Sequence, residues 1–152
     1  MKILVFSDSH GTLNYMEEAV RLETPDHLIH LGDYTRDSAL LAQRFPHIPL
    51  HFVAGNCDYG DPAPTEQSIT LDGVRLFLTH GHRYQVKYMY LRAIYAALEE
   101  NAQILLFGHT HRAECFQEKG LWAMNPGAAK SGSYGVITVS DGAFQLELKN
   151  AN

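Results

Sequence analysis

Five short stretches of the chain carry side chains able to act on a substrate: Asp8-Ser9-His10, Gly32-Asp33, Gly55-Asn56-Cys57-Asp58, His80-Gly81-His82 and Gly108-His109-Thr110-His111. Their chemistry-bearing groups are Asp8, His10, Asp33, Asn56, His80, His109 and His111. These are oxygen and imidazole donors without a thiolate cluster, a set that favours Mn, Fe, Zn, Ni or Co over a soft metal or a structural zinc knot. Seven donors are too many for one tetrahedral ion. If one carboxylate bridges, they suit two ions roughly 3.5–4 Å apart. Two dications, two carboxylates and a bridging hydroxide leave a local charge of about +1, so a phosphate is drawn in. The ions lower the pKa of the bridging water from ~15.7 toward ~7, which makes a hydroxide available to attack phosphorus in line. Asn56 ligates through its carbonyl oxygen and adds no negative charge. The chemistry indicated is hydrolysis of a phosphoester without a covalent enzyme intermediate.

Each motif ends a short apolar run, and the runs say how the motifs are held. Lys2 to Phe6, His27 to Leu31, Leu50 to Ala54, Val74 to Thr79 and Ile104 to Phe107 read as strands, several of them buried on both faces. In open α/β sheets ligands bind beyond the carboxyl ends of such strands, so the motifs should converge on one edge. His109 and His111, spaced i, i+2, would point the same way in extended backbone, roughly 7 Å apart at Cα. Thr12 as N-cap and Leu13, Met16, Ala19 and Val20 predict a helix before Pro25, and Ala39 to Phe45 predicts a second before Pro46. Val86, Tyr90, Ile94, Ala97 and Leu98 share one face of a third. Asp72-Gly73 and Asp141-Gly142 signal hairpins, and strands are expected at 112–118, 121–124, 134–139 and 143–149. Early helix–strand alternation and late hairpins predict an α/β sandwich of two mixed sheets with helices outside.

The ordered set Asp8-x-His10, Gly32-Asp33, Gly55-Asn56, His80-Gly81-His82 and Gly108-His109-Thr110-His111 resembles that of the calcineurin-like metallophosphoesterases, within them the small bacterial and archaeal phosphodiesterases. The resemblance spans essentially the whole chain. It implies a four-layer α-β-β-α sandwich, with one metal on Asp8, His10 and His111, a second on Asn56, His80 and His109, and Asp33 as the bridge. Many relatives carry a histidine after the asparagine that resembles a general acid, whereas this chain has Cys57, as the smaller branch also does. A thiol is protonated at pH 7 and can donate, though less suitably than an imidazolium, so esters with good leaving groups are favoured. The alternative for Cys57 is a buried packing role.

Other residues have weaker signals. Arg36, three residues past Asp33, would clamp a phosphate oxygen or cap the second helix as a solvated charge. His82 would touch substrate or support His80; His80 is the better ligand because it ends its strand, although the reverse register stays open. Asn125-Pro126-Gly127 resembles a family turn near the active edge. His27, His30, His47 and His51 read as surface or core histidines, and Tyr84, Tyr88, Tyr90 and Tyr95 as partly buried.

At 152 residues the chain suits one domain, 1–152, with a single core. A net charge of -5 speaks against duplex nucleic acid, which requires a basic footprint, but leaves room for a small phosphorylated substrate. The apolar start is too short for a signal core or membrane span, so a cytoplasmic protein without membrane association is expected, with Cys57 and Cys115 as free thiols. Two divalent ions per chain are expected, manganese first and nickel, iron, zinc or cobalt as alternatives. Related phosphodiesterases suggest a homodimer or tetramer. The competing function is a non-catalytic protein-binding scaffold of the same fold, as in a retromer subunit that resembles this family. A single-metal structural site would waste half the donors. All of this requires Asp33 to lie close to both His10 and His80.

Overall fold

The computed structural model describes residues 1–152. Its layers follow from alternation along the strands. In β1 (Lys2–Phe6), Ile3 and Val5 face one apolar layer while Leu4 and Phe6 face another, and all four are buried. A strand apolar on both faces must be covered on both. One cover is α1 (Asn14–Glu23) and α2 (Thr35–Arg44), whose Met16, Ala19, Val20 and Leu41 pack on Leu4, Phe6 and Leu28. The other is a second sheet.

The first sheet runs in the order β10 (Ala143–Asn150), β9 (Ser133–Ser140), β1, β2 (His27–His30), β3 (Leu50–Phe52), with β1 to β3 parallel and β9 and β10 antiparallel. The second runs β4 (Glu66–Leu71), β5 (Val74–Thr79), β6 (Ile104–Leu106), β8 (Leu121–Asn125), β7 (Glu114–Glu118), parallel from β5 through β6 to β8. Ile3, Val5, Ile29, Leu76, Leu78, Ile104, Leu106 and Ile137 meet between the sheets. Phe77, Leu105 and Phe107 point the opposite way, onto Ala93, Ile94 and Ala97 of α3 (Leu91–Glu99). Three apolar layers therefore separate four layers of structure, the α-β-β-α sandwich expected. Truncating a fully buried leucine such as Leu105 to alanine should cost roughly 2–5 kcal/mol.

Three hairpins turn on residue pairs that both take positive φ: Asp72-Gly73 (48° and 82°), Lys119-Gly120 (53° and 78°) and Asp141-Gly142 (50° and 80°). That is the type I′ geometry, whose twist matches the flanking strands. No helix is long and apolar enough to cross a membrane.

Several boundaries differ from the sequence reading. Thr12 does not cap α1; its N–H donates to the Ser9 carbonyl and Leu13 holds the cap position without a side-chain bond. The second helix starts at Thr35 rather than Ala39, because the Tyr34 and Thr35 amides are satisfied by Asp58 from a separate loop. The third starts only at Leu91, since His82–Tyr84 is a single 3₁₀ turn and Gln85 takes φ 56°. Val86 is buried there without being helical.

Candidate metal centre

Strands β1, β2, β3, β5 and β6 end at one edge of the sandwich, and their next residues carry the motifs. The chain turns sharply on leaving the strands. Asp8, His10, Asp33, His109 and His111 have φ of 55°, 46°, 59°, 72° and 63°. Left-handed backbone is uncommon outside glycine and gathers where surrounding structure enforces it for function. The extended backbone expected at His109 and His111 is therefore corrected: β6 stops at Leu106, and left-handed turns aim the two rings.

Both carboxylates are held by one oxygen and leave the other inward. Asp8 Oδ2 accepts from the Ser7 hydroxyl (2.6 Å) and the His109 N–H (3.0 Å), while Oδ1 lies 3.2 Å from His111 Nε2, 3.7 Å from His80 Nε2 and 3.8 Å from His10 Nε2. Asp33 Oδ1 accepts from the Cys57 N–H (2.9 Å), while Oδ2 lies 3.4 Å from His80 Nε2 and 3.6 Å from His10 Nε2. His80 is fully buried and its Nδ1 donates to the Leu31 carbonyl at 2.8 Å, which leaves the Nε2 lone pair facing the carboxylates. Asp33 is thus adjacent to both His10 and His80.

Three donor groups have all their ligand atoms within 4.8 Å of one another: Asp8, His10 and His111; Asp33, His80 and His109; and His10, Asp33 and Cys57. Asp8 Oδ1, His10 Nε2 and His80 Nε2 are buried without a hydrogen-bond partner. An unpartnered buried polar group costs about 1–3 kcal/mol. Two unpartnered imidazole nitrogens facing two carboxylates, one of which has an unpartnered oxygen, make a donor set that fits divalent cations, with charge and ligand type in agreement.

Electrostatics point the same way. Burial works against ionisation of Asp33 and is the largest single influence, but the close approach and charge of the His80 imidazole and the Cys57 N–H together hold the carboxyl well below its usual range. Burial likewise opposes protonation of His80, yet the Asp33 carboxylate beside it and the charge of Asp8 raise its pKa. His109 is lowered to about 4 by burial, then by His80 and Lys87, and His82 is lowered by burial and His80. Both rings are neutral, with a free lone pair, near pH 7.

The remaining candidates divide. Asn56 is exposed on the rim, and its amide nitrogen approaches the Cys57 sulfur at 3.7 Å. Cys57 is exposed, which corrects its reading as a buried packing residue; burial of its thiol group and the Asp33 charge still push its pKa up. The ring of His82 lies 5.4 Å from that of His80 and 6.2 Å from that of His109, with a buried, unpartnered Nδ1. It does not support His80, since Leu31 does. Arg36 is exposed in the first turn of α2, in no ion pair, beside Tyr34, Cys57 and Tyr59. Tyr88 and Tyr95 are exposed rather than partly buried, while Tyr84 and Tyr90 pack onto the α3 layer.

Sequence patterns missed several supports. His30 is no bystander: its Nδ1 accepts from the Gly32 N–H, its Nε2–H donates to Ser9 Oγ, and Ser9 donates to Asp37, which also takes the Gly11 N–H. Burial lowers its pKa to about 4, which keeps this neutral relay intact near pH 7. Asn125, whose turn the sequence already places near the active edge, is fully buried and donates to the Gly108 carbonyl and Thr110 Oγ1, a bracing of the last histidine loop that the pattern did not show. Tyr34, at φ 85°, sets its ring edge-on to His10. Asp58 accepts four backbone N–H groups.

Comparison with known proteins identifies the family of the chain. A profile of the calcineurin-like phosphoesterase superfamily domain matches residues 1–142. The chain is 32% identical over 152 residues to the probable metallophosphoesterase YsnB of Bacillus subtilis, across 94% of this chain and 87% of that one. It is 30% identical over 168 residues to the phosphodiesterase YfcE of Escherichia coli, across 90% and 87%. A predicted phosphoesterase of Streptococcus pneumoniae superposes with a TM-score of 0.82 at 27% identity, covering 99% of this chain and 89% of that one.

Proposed function

This chain belongs to the calcineurin-like phosphoesterase superfamily, and from that premise we propose that it is a dinuclear-metal phosphodiesterase acting on a small phosphorylated substrate. Asp8, His10 and His111 would hold one cation, His80, His109 and Asn56 would hold the other, and Asp33 would serve both. Manganese is the first choice of ion. When bound, two such ions supply the positive charge that draws a phosphoester in and make water acidic enough to attack phosphorus near neutral pH. The observation that carries this reading is the position of Asp33 Oδ2, 3.6 Å from His10 Nε2 and 3.4 Å from His80 Nε2, with both nitrogens otherwise unpartnered.

The protein's own groups have distinct tasks. The Leu31 carbonyl fixes the His80 tautomer, so its Nε2 lone pair is presented once the metal-free proton has left. His82, neutral and beside the cluster, binds a substrate oxygen. Cys57 keeps its proton and donates it to the leaving oxygen, which favours esters with acidic leaving groups. Arg36, free of any carboxylate partner, clamps a phosphate oxygen from the rim.

Hydrolysis of bis-p-nitrophenyl phosphate with added Mn²⁺ tests the proposal. An enzyme turns over in the wild type and loses most of that activity in His80→Ala. A protein-binding scaffold of the same fold gives no turnover in either, and unchanged activity in His80→Ala would also overturn this reading.

A further inference from the structure

Asp58 lies outside all three donor groups, yet it holds the loops that carry two of the proposed ligands. Its Oδ1 accepts from the Tyr34 and Thr35 N–H groups, both at 2.9 Å, and its Oδ2 from the Asp33 N–H at 3.0 Å and the Gly55 N–H at 2.7 Å. All four lone-pair positions of one carboxylate are spent on main chain. We propose that Asp58 is a positioning residue that locks the turn 55–58 onto the loop 32–35 and thereby fixes the bridging carboxylate against the second metal position. This inference rests on the dinuclear reading above.

The same turn grips Asp33 twice. Asp58 takes its backbone N–H, and the Cys57 N–H binds its Oδ1 at 2.9 Å. The two loops touch through glycines. A Cβ on Gly32 would sit 2.6 Å from the Gly55 nitrogen, and one on Gly55 would collide with Asp33 Oδ1. Two of the four amides, those of Tyr34 and Thr35, open α2, where the positive end of the helix dipole favours a fixed anion. Asp58 therefore ties the start of α2, the bridging residue and the Asn56 turn to one charged acceptor. Asparagine at this position has a single acceptor oxygen, so one pair of amides would face an NH₂ group instead.

The test is calorimetric titration of Mn²⁺ into metal-stripped wild type, Asp58→Asn, Asp58→Glu and Glu23→Gln, with circular dichroism to establish that each is folded at the temperature used. Glu23→Gln removes a buried carboxylate that belongs to none of the donor groups and serves as the matched loss of stability. The expected result is two Mn²⁺ in the wild type, affinity weakened roughly 10–100-fold in Asp58→Asn, a smaller loss in Asp58→Glu, and wild-type affinity in Glu23→Gln. If Asp58→Asn does not fold, the comparison of Asp58→Glu with Glu23→Gln decides. Wild-type affinity in a folded Asp58 variant, or an equal loss in Glu23→Gln, would overturn the proposal alone. A wild type that takes up no Mn²⁺ would overturn the metal reading and this proposal with it.

Discussion

Two of the clusters that bury carboxylates in this molecule, one around Glu23 and one around Asp8 and Asp33, are resolved in opposite ways. Glu23, the last residue of α1, receives Lys149 Nζ at 2.7 Å, Lys2 Nζ at 3.0 Å and the Tyr134 hydroxyl at 3.0 Å. Burial is the largest single influence on Glu23 and raises its pKa, but the Lys149, Lys2 and Tyr134 hydrogen bonds outweigh it and lower the pKa to about 2. At the end where the strands stop, Asp8 and Asp33 each have one oxygen satisfied by N–H or O–H groups and one facing only histidines. A saturated cluster stabilises the fold, whereas an unsaturated one is held together by the fold. The difference identifies which cluster does chemistry. Both contain buried acids, but only one leaves Asp8 Oδ1, His10 Nε2 and His80 Nε2 unpartnered.

The contrast can be broken most forcefully at Asp33. Asp33→Ala should lower kcat/KM for bis-p-nitrophenyl phosphate by more than the roughly 10–100-fold typical of losing an outer support, while Glu23→Gln should leave activity per folded molecule unchanged. A next, smaller effect is on stability. Mn²⁺ at a hundred times its Kd should stabilise wild type and Glu23→Gln by ~2.7 kcal/mol per site, visible as several degrees in Tm, and should not do so in Asp33→Ala. Glu23→Gln itself should cost on the order of 1–3 kcal/mol in urea unfolding, limited because both lysines keep contact with water.

The remaining effects concern pH and separate the regions by window. Glu23 has a folded pKa of about 2 against an ordinary 4.5, so its stabilisation is complete above about pH 4.5 and is lost as pH falls through about 2. His30 has a folded pKa of about 4 against 6.5, so the unfolded chain takes up that proton first and stability declines from about pH 6.5 to about 4. Urea midpoints measured from pH 7.5 to 2.5 should fall in both windows for the wild type. In Glu23→Gln the fall below pH 4.5 should shrink.

Much of this was legible because burial leaves a period in the sequence. The alternation of Ile3 and Val5 with Leu4 and Phe6, and of Ile104 and Leu106 with Leu105, is the sandwich itself, and each strand end announces a motif. What stayed hidden has no local signature. Left-handed φ at Asp8, His10, Asp33, His109 and His111 is imposed from outside those residues, so extended backbone was the natural but incorrect expectation for the last two. The start of α2 was misplaced because its cap, Asp58, arrives from a loop more than twenty residues on. His30 reads as one more apolar-strand histidine until Gly32, Ser9 and Asp37 are seen around it. Cys57 joins His10 and Asp33 only in three dimensions.

The most direct test of the central claim is anomalous diffraction from crystals of this chain grown with Mn²⁺. Two peaks roughly 3.5–4 Å apart, flanking Asp33 Oδ2 with Asp8, His10 and His111 about one and His80, His109 and Asn56 about the other, are predicted. A single peak, or none within reach of Asp33, would contradict it.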